Sequence, residues 1–405
     1  MKFLSFSILM LSFCILTAQS QTSDSWVSIS EGIKYQFIGT YDKAKLNEIT
    51  TTELNDFSKI GAEYPKALYN VNLYRVQYNS VIPEFDNRPT VAYGLIAVPV
   101  GLTGTIPVVS YQHGTLFSRN AVPSYPDSSM ETKLEIAGFS GQGYILIAAD
   151  YFGKGLSKEF DSFLVKASTQ QACLDMYLAS KIVCDDLKIK QGQLFLSGWS
   201  QGGWCTLVFL NKLESLGIPV TAAGVMSAPT DVFMLINRWI HNPQPIDAPY
   251  LNGEIAILVY AYEEYYKIPG LAASVLRPEY LQVSKDFYEN KISYEELYNK
   301  VPSKLSDYFQ ADYIKTNSIS EDRFSQLIQQ NQSYRWRSIT PLQTYFGEID
   351  EAVCEYIATL MQGYQKIMGG AEVTAIDAGS KADHHGTFAY AIPKQKIWFD
   401  SFLVQ

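Results

Sequence analysis

Residues 70–229 alternate short apolar runs with stretches of helical period, and that rhythm limits the folds open to the chain more than any other feature. VNLYRVQYNSV, a polar turn at PEFDNRP and then TVAYGLIAVPV read as two paired strands. VVSY, YILIAAD, QLFLSG and TAAGVMSAP follow, each with apolar residues on both faces, as in strands covered from two sides. Between them STQQACLDMYLASKIVCDDL and WCTLVFLNKLESLG have helical period, the second closing on glycine. The expectation is an α/β fold with an open, mostly parallel sheet and helices on both faces.

The rhythm stops near Thr230 and resumes at PLQTYFGEID, followed by a helix over about 352–368, a strand at VTAI and a closing helix ending at IWFDSF. In between, GEIAILVYAYEEYYKI and SYEELYNKV are helical and no buried strand is evident. An excursion of roughly 110 residues inside such a sheet predicts a helical cap at 230–340 on a core of 21–229 and 341–405. The excursion holds 12 of the 28 tyrosines, which suits a wall around a partly polar organic ligand. The competing expectation is a packing subdomain whose tyrosines are core and rim. Residues 21–69 carry no motif and are expected to add a helix on the outside.

The first twenty residues, MKFLSFSILMLSFCILTAQS, have one positive charge, an apolar run and small residues at Ala18 and Ser20. They read as a secretory signal peptide: about fourteen apolar residues fall short of a membrane span, and polar QTSDSW follows. The chain is therefore expected to be secreted or periplasmic, with no integral membrane segment once the leader is removed. A net charge of −9, more negative still without Lys2, argues against nucleic acid as a partner. Cys173, Cys184, Cys205 and Cys354 lack the C-x-x-C spacing of a zinc site and are expected as free, packed thiols. No metal or other cofactor is expected, and the oligomeric state leaves no mark on the sequence.

GWSQGG at 198–203 places Ser200 between a strand and a helix, where a sharp turn can lift a side chain above the sheet. A serine hydroxyl attacks a carbonyl only when a base takes its proton, and the base needs an orienting acid. The four histidines are His113, His241, His384 and His385. The acid candidate is Asp350 in YFGEIDEAV, flanked by Glu348 and Glu351, just past a strand end. Serine, acid and histidine then occur in the order this architecture requires.

YQHGT at 111–115, DYFGKGLS at 150–157 and GWSQGG together resemble the α/β-hydrolase superfamily, and more narrowly its secreted esterases and lipases. The resemblance runs from about residue 70 to the end, apart from the cap. It implies Ser200 as nucleophile, Asp350 as the orienting acid and one of the two C-terminal histidines as proton shuttle. His385 is favoured by the glycine after it and His384, the alternate, by the aspartate before it. The resemblance also implies an oxyanion hole from the backbone of Gln201 and of Gly114 or Thr115, with His113 supporting that turn and Asp150 tying down its own. Trp204 departs from relatives, which often carry histidine there, and Cys205 is expected to be packed. The implied activity is hydrolysis of a small-molecule or lipid carboxylic ester. The alternatives are a serine peptidase or amidase, with Glu263 and Glu264 as anchors for a peptide terminus, and a binding protein that has lost the chemistry.

Overall fold

The computed structural model describes residues 25–403, so the leader read at 1–20 lies outside the described residues. The strands are β1 (Val27–Ser30), β2 (Ile33–Tyr41), β3 (Val71–Ile82), β4 (Arg88–Pro99), β5 (Thr105–Gln112), β6 (Ile145–Ala149), β7 (Lys190–Trp199), β8 (Ala222–Met226), β9 (Leu342–Phe346) and β10 (Val373–Asp377). They form one sheet in the order β1-β2-β3-β4-β6-β5-β7-β8-β9-β10. β1 to β4 run antiparallel in succession, and β4 also pairs antiparallel with β6. From β6 to β10 every pairing is parallel.

Sequence explains the layering. In β6, ILIAA is buried at every position, but its residues alternate between two cores. Ile145 and Ile147 face the helices Lys166–Asp186 and Gln201–Ser215. Leu146 and Ala148 face Met130–Gly138 and His384–Asp400. A strand covered on both sides gains from apolar residues throughout, and for that reason the central strands read as continuous runs.

The chain leaves β5 for β6 on one side and reaches β7 on the other, which opens a crevice at the carboxyl edge beside β5. The segments after β5, β7, β8, β9 and β10 all begin at that edge.

Two expectations are corrected here. Residues 21–69 do not simply add a helix: β1 and β2 extend the sheet, and only then come the short helices Lys43–Glu48 and Leu54–Phe57. β2 pairs with β3 from Ile33 with Tyr78 to Tyr41 with Val71, yet most of its residues are only partly buried, which blurs the alternation of a strand. The helix expected over about 352–368 is two short ones, Glu355–Ala358 and Leu360–Met368. The amides of Ala352 and Val353 instead donate to Asp350 Oδ1, at 2.9 and 2.8 Å, which delays the helix start.

Between β8 and β9 the chain is helical from Val232–His241 to Arg323–Gln330, with one isolated bridge between Leu276 and Phe309. Tyrosines fasten this insertion to the sheet side. Tyr262 donates to Leu164 O (3.2 Å), Tyr265 to Phe160 O (2.8 Å) and Tyr288 to Asp161 O (3.0 Å). Among the described residues the four cysteines are free, three of them buried and Cys354 half-buried. No helix among the described residues is long and apolar enough to cross a membrane.

Candidate active site

Ser200 sits between the end of β7 and the helix Gln201–Ser215 with φ 56° and ψ −125°, a left-handed conformation that a non-glycine residue adopts only where its surroundings enforce it. The glycines of GWSQGG are what permit the turn. A Cβ at Gly202 would collide with the carbonyl of Gln112 at the end of β5, and one at Gly198 with the carbonyl of Gly202. The buried Trp204 uses its indole N–H to bond Asn331 O at 3.1 Å, joining the helix after Ser200 to the end of the insertion.

Asp350 follows β9 and is buried. Its Oδ2 accepts the Ser227 hydroxyl at 2.6 Å, and its Oδ1 accepts two backbone amides and His384 Nδ1 at 2.9 Å. Burial alone would raise the Asp350 carboxyl, but His384 and these donors hold it below the usual range. The reverse holds for His384: burial pulls it down, and Asp350, with Glu351 and Glu254 beyond, pushes it well above the ordinary value. A carboxylate can only accept, so the imidazole proton is on Nδ1 and Nε2 is left for chemistry. The His384 amide donates to Glu351 Oε2 at 3.0 Å, and the ring lies 4.9 Å from that of Trp199, the residue before Ser200.

Of the two adjacent histidines, the structure places His384 and not His385 on Asp350. Adjacent helical residues point about 100° apart. The helix starting at His384 turns that first imidazole to Asp350, while His385 is exposed and its ring lies 4.4 Å from that of Phe57. Among the described residues the Ser200 hydroxyl makes no hydrogen bond. Such bonds often close only when substrate arrives.

Gly114 also departs from expectation. Its N–H donates to Glu131 Oε1 at 2.6 Å and is spent on holding the turn. The Gln201 amide opens its helix and so lacks an intrahelical acceptor, and the Thr115 amide has no acceptor among the described residues. His113 lies in the same turn: Nδ1 is 2.8 Å from Gly114 O, Nε2 is 3.1 Å from Asp150 O, and the ring stacks on Tyr151 at 4.1 Å. Burial pushes it down to about 4, so it is neutral. Asp150 Oδ1 accepts the Ser124 amide at 2.9 Å, which fixes the second motif.

The pocket over Ser200 is walled by Val232, Leu235, Ile236 and Trp239 from one inserted helix and Ile255 and Leu258 from another. Among the described residues no tyrosine lines it. The phenol groups of Tyr262, Tyr265 and Tyr288 that bond to 160–164 are used between layers. Glu263 and Glu264 are also absent from the wall, and Glu263 Oε2 accepts the Ala272 amide at 2.7 Å.

Sequence reasoning missed Glu131, Ser227, Lys154 and the structural use of Glu351. A polar residue directly after the buried run AAGVM was a legible signal for Ser227. Glu131 offered none, since it lies in an unremarked helix.

Residues 130–254 match the prolyl oligopeptidase family, a stretch short of half the chain. Comparison with curated proteins returns no match. Among solved structures, a protein from Legionella pneumophila assigned to the hydrolases is similar with a TM-score of 0.81 and 22% identity, over 93% of this chain and 98% of that one. The rice cell wall degrading esterase LipA from Xanthomonas oryzae gives 0.77 and 18%, over 93% and 97%. Candida antarctica lipase A gives 0.60 and 13%, over 86% and 77%. At these identities the likeness establishes architecture, and the architecture is the α/β-hydrolase fold.

Proposed function

We propose that the chain is a secreted serine hydrolase that cleaves carboxylic esters, with Ser200 as nucleophile, His384 as base and acid, Asp350 as its orienting partner and residues 230–340 as the cap. The observation that carries this reading is the bond from His384 Nδ1 to a buried Asp350 at the same sheet edge as the left-handed turn at Ser200. Ser200 Oγ attacks the ester carbonyl while Nε2 takes its proton. The amides of Gln201 and Thr115 receive the oxyanion, each such donor being worth roughly 3 kcal/mol of barrier. Nε2 returns the proton to the leaving alcohol, and water then releases the acid by the same route. The leader at 1–20 supports export.

Amide or peptide cleavage by the same residues is the second reading, favoured by the match of residues 130–254 to the prolyl oligopeptidase family. Nitrophenyl esters of several chain lengths, assayed beside aminoacyl amides, separate the two. Ester turnover that disappears in Ser200→Ala is the expected result. Turnover persisting in that variant rejects the nucleophile, and amide turnover without ester turnover selects the second reading.

A further inference from the structure

We propose that Trp239 closes the cavity beside Ser200 and restricts the acyl group of the substrate to acetyl or propionyl, so that the chain hydrolyses esters of short carboxylic acids; this rests on the ester-hydrolase reading above. The cavity encloses about 30 Å³. A water needs about 10–15 Å³ and a cavity of about 150 Å³ takes benzene, so this space seats a methyl or ethyl group and little more. Ser200, Gln201 and Thr115 line it, whereas His384 does not. The leaving alcohol has to reach His384 Nε2 for its proton, so the arm that enters a cavity away from that ring is the acyl arm.

Two helices of the insertion build the wall. Val232, Leu235, Ile236 and Trp239 recur at the spacing of one face of the helix Val232–His241, and Ile255 and Leu258 come from Leu251–Tyr265. The Ser200 amide donates to Met226 O at the end of β8 (2.9 Å), and the first of these helices starts a few residues later, so it leaves from beside the nucleophile. Trp239 lies about 10 Å beyond Val232 along the helix axis. Its indole therefore stands at the end of the wall remote from Ser200.

Beyond that ring is a second cavity of about 300 Å³, ten times the first, and among the described residues Trp239 alone lines both. The two spaces follow the same elements. Leu251 of the outer wall is one turn before Ile255 of the inner wall, and the outer Ala248 donates its amide to Glu351 O at 3.0 Å, next to the inner Ala352. Trp239 is buried and its indole N–H has no acceptor among the described residues, so packing alone fixes the ring. Shortening it to alanine joins the two cavities and strands no hydrogen-bond partner. The loop of the outer wall stays anchored by the ion pair of Arg238 with Asp247, which the substitution does not touch.

The test compares 4-nitrophenyl acetate with 4-nitrophenyl hexanoate, each rate divided by that of the same ester in alkali. We expect kcat/KM in the parent chain to favour the acetate by about a hundredfold, since a hydrophobic pocket discriminates by about 10- to 200-fold for a methylene it cannot seat. That ratio is expected to fall about tenfold in Trp239→Ala and by less in Trp239→Phe, which keeps a ring in the wall. Parent turnover of the hexanoate as fast as the acetate, or a ratio unchanged in both variants, overturns the proposal. Methyl and hexyl acetate vary the other arm and should be turned over alike; a break in that series in place of the acyl series overturns the acyl assignment. Calorimetry with Ser200→Ala reads the partition without turnover. Nonan-5-one, whose two arms are identical and longer than the inner cavity seats, is expected to bind about tenfold tighter once Trp239→Ala is added, and equal affinity overturns the partition. Such a gain in a protein that turns over no ester leaves the partition standing and rejects only the hydrolase reading.

Discussion

His384 and His385 carry the same ring, and only their place on the helix separates them. His384 is clamped at Nδ1 by Asp350, itself held by Ser227 and two amides, whereas His385 rests against Phe57. We expect His384→Ala to lose roughly 10⁴-fold in kcat on a nitrophenyl ester, and His385→Ala to stay within about threefold. A comparable loss in both variants would return the choice of base to the open. The pH dependence carries a second test. In the proposed mechanism His384 is a base only when neutral, and Asp350 raises its affinity for the proton, so the acidic limb of kcat/KM should lie above the ordinary imidazole value. Asp350→Asn removes that carboxylate charge, so the residual activity should show its limb at lower pH. A limb that stays put would mean another group is being titrated.

At the scale of elements, the turn after β5 is gripped from three sides. Glu131 holds the Gly114 amide, His113 bonds its carbonyl, and Lys154 Nζ donates to Leu116 O at 2.7 Å. Lys154 also forms an ion pair with Asp161 at 2.8 Å, both side chains being buried. Asp161 belongs to the segment to which the tyrosines of the insertion bond, so the insertion and the turn after β5 share one buried pair. Lys154→Met leaves a buried carboxylate unpaired and should cost about 3–5 kcal/mol of stability. Pairing it with Asp161→Leu should restore most of the Tm while kcat stays about tenfold low, because the turn has lost its tether. Recovery of kcat together with Tm would make the pair purely structural. The same contrast shows what was legible in the sequence. YQHGT and GWSQGG were readable because each is a contiguous run whose residue types follow from the sharp turn it makes at a strand end. Glu131 meets Gly114 only after a helix packs under the strand end, and the choice between the histidines depends on helix phase, which residue identity does not encode. Tyrosine content could signal a cap but not the direction in which its phenols point. The half-buried edge strand β2 hid itself by lacking a clear apolar face.

For the whole molecule, the distribution of buried acids sets how stability responds to pH. Burial raises Glu131 and Glu254 to about 7, and Asp350 raises His384. Each of these groups binds its proton more tightly in the folded chain than in the unfolded one. Their contribution is thus complete below the unfolded value and is lost as pH rises through the folded value. His113 runs the other way, since burial lowers it to about 4, but its effect is complete once the pH passes the unfolded imidazole value near 6.5. From about pH 6.5 to 8 the three raised groups act together without that opposition, so Tm should fall over this interval. The acidic balance of −9 adds self-repulsion in the same direction. Glu131→Gln keeps an acceptor for the Gly114 amide or the Tyr111 hydroxyl and removes the titration. Calorimetric scans across the interval should then show a shallower decline than in the parent chain. An identical slope in both would mean that Glu131 holds no proton more tightly when folded, and the pH response would have to come from the other raised groups, Glu135, Glu254 and His384.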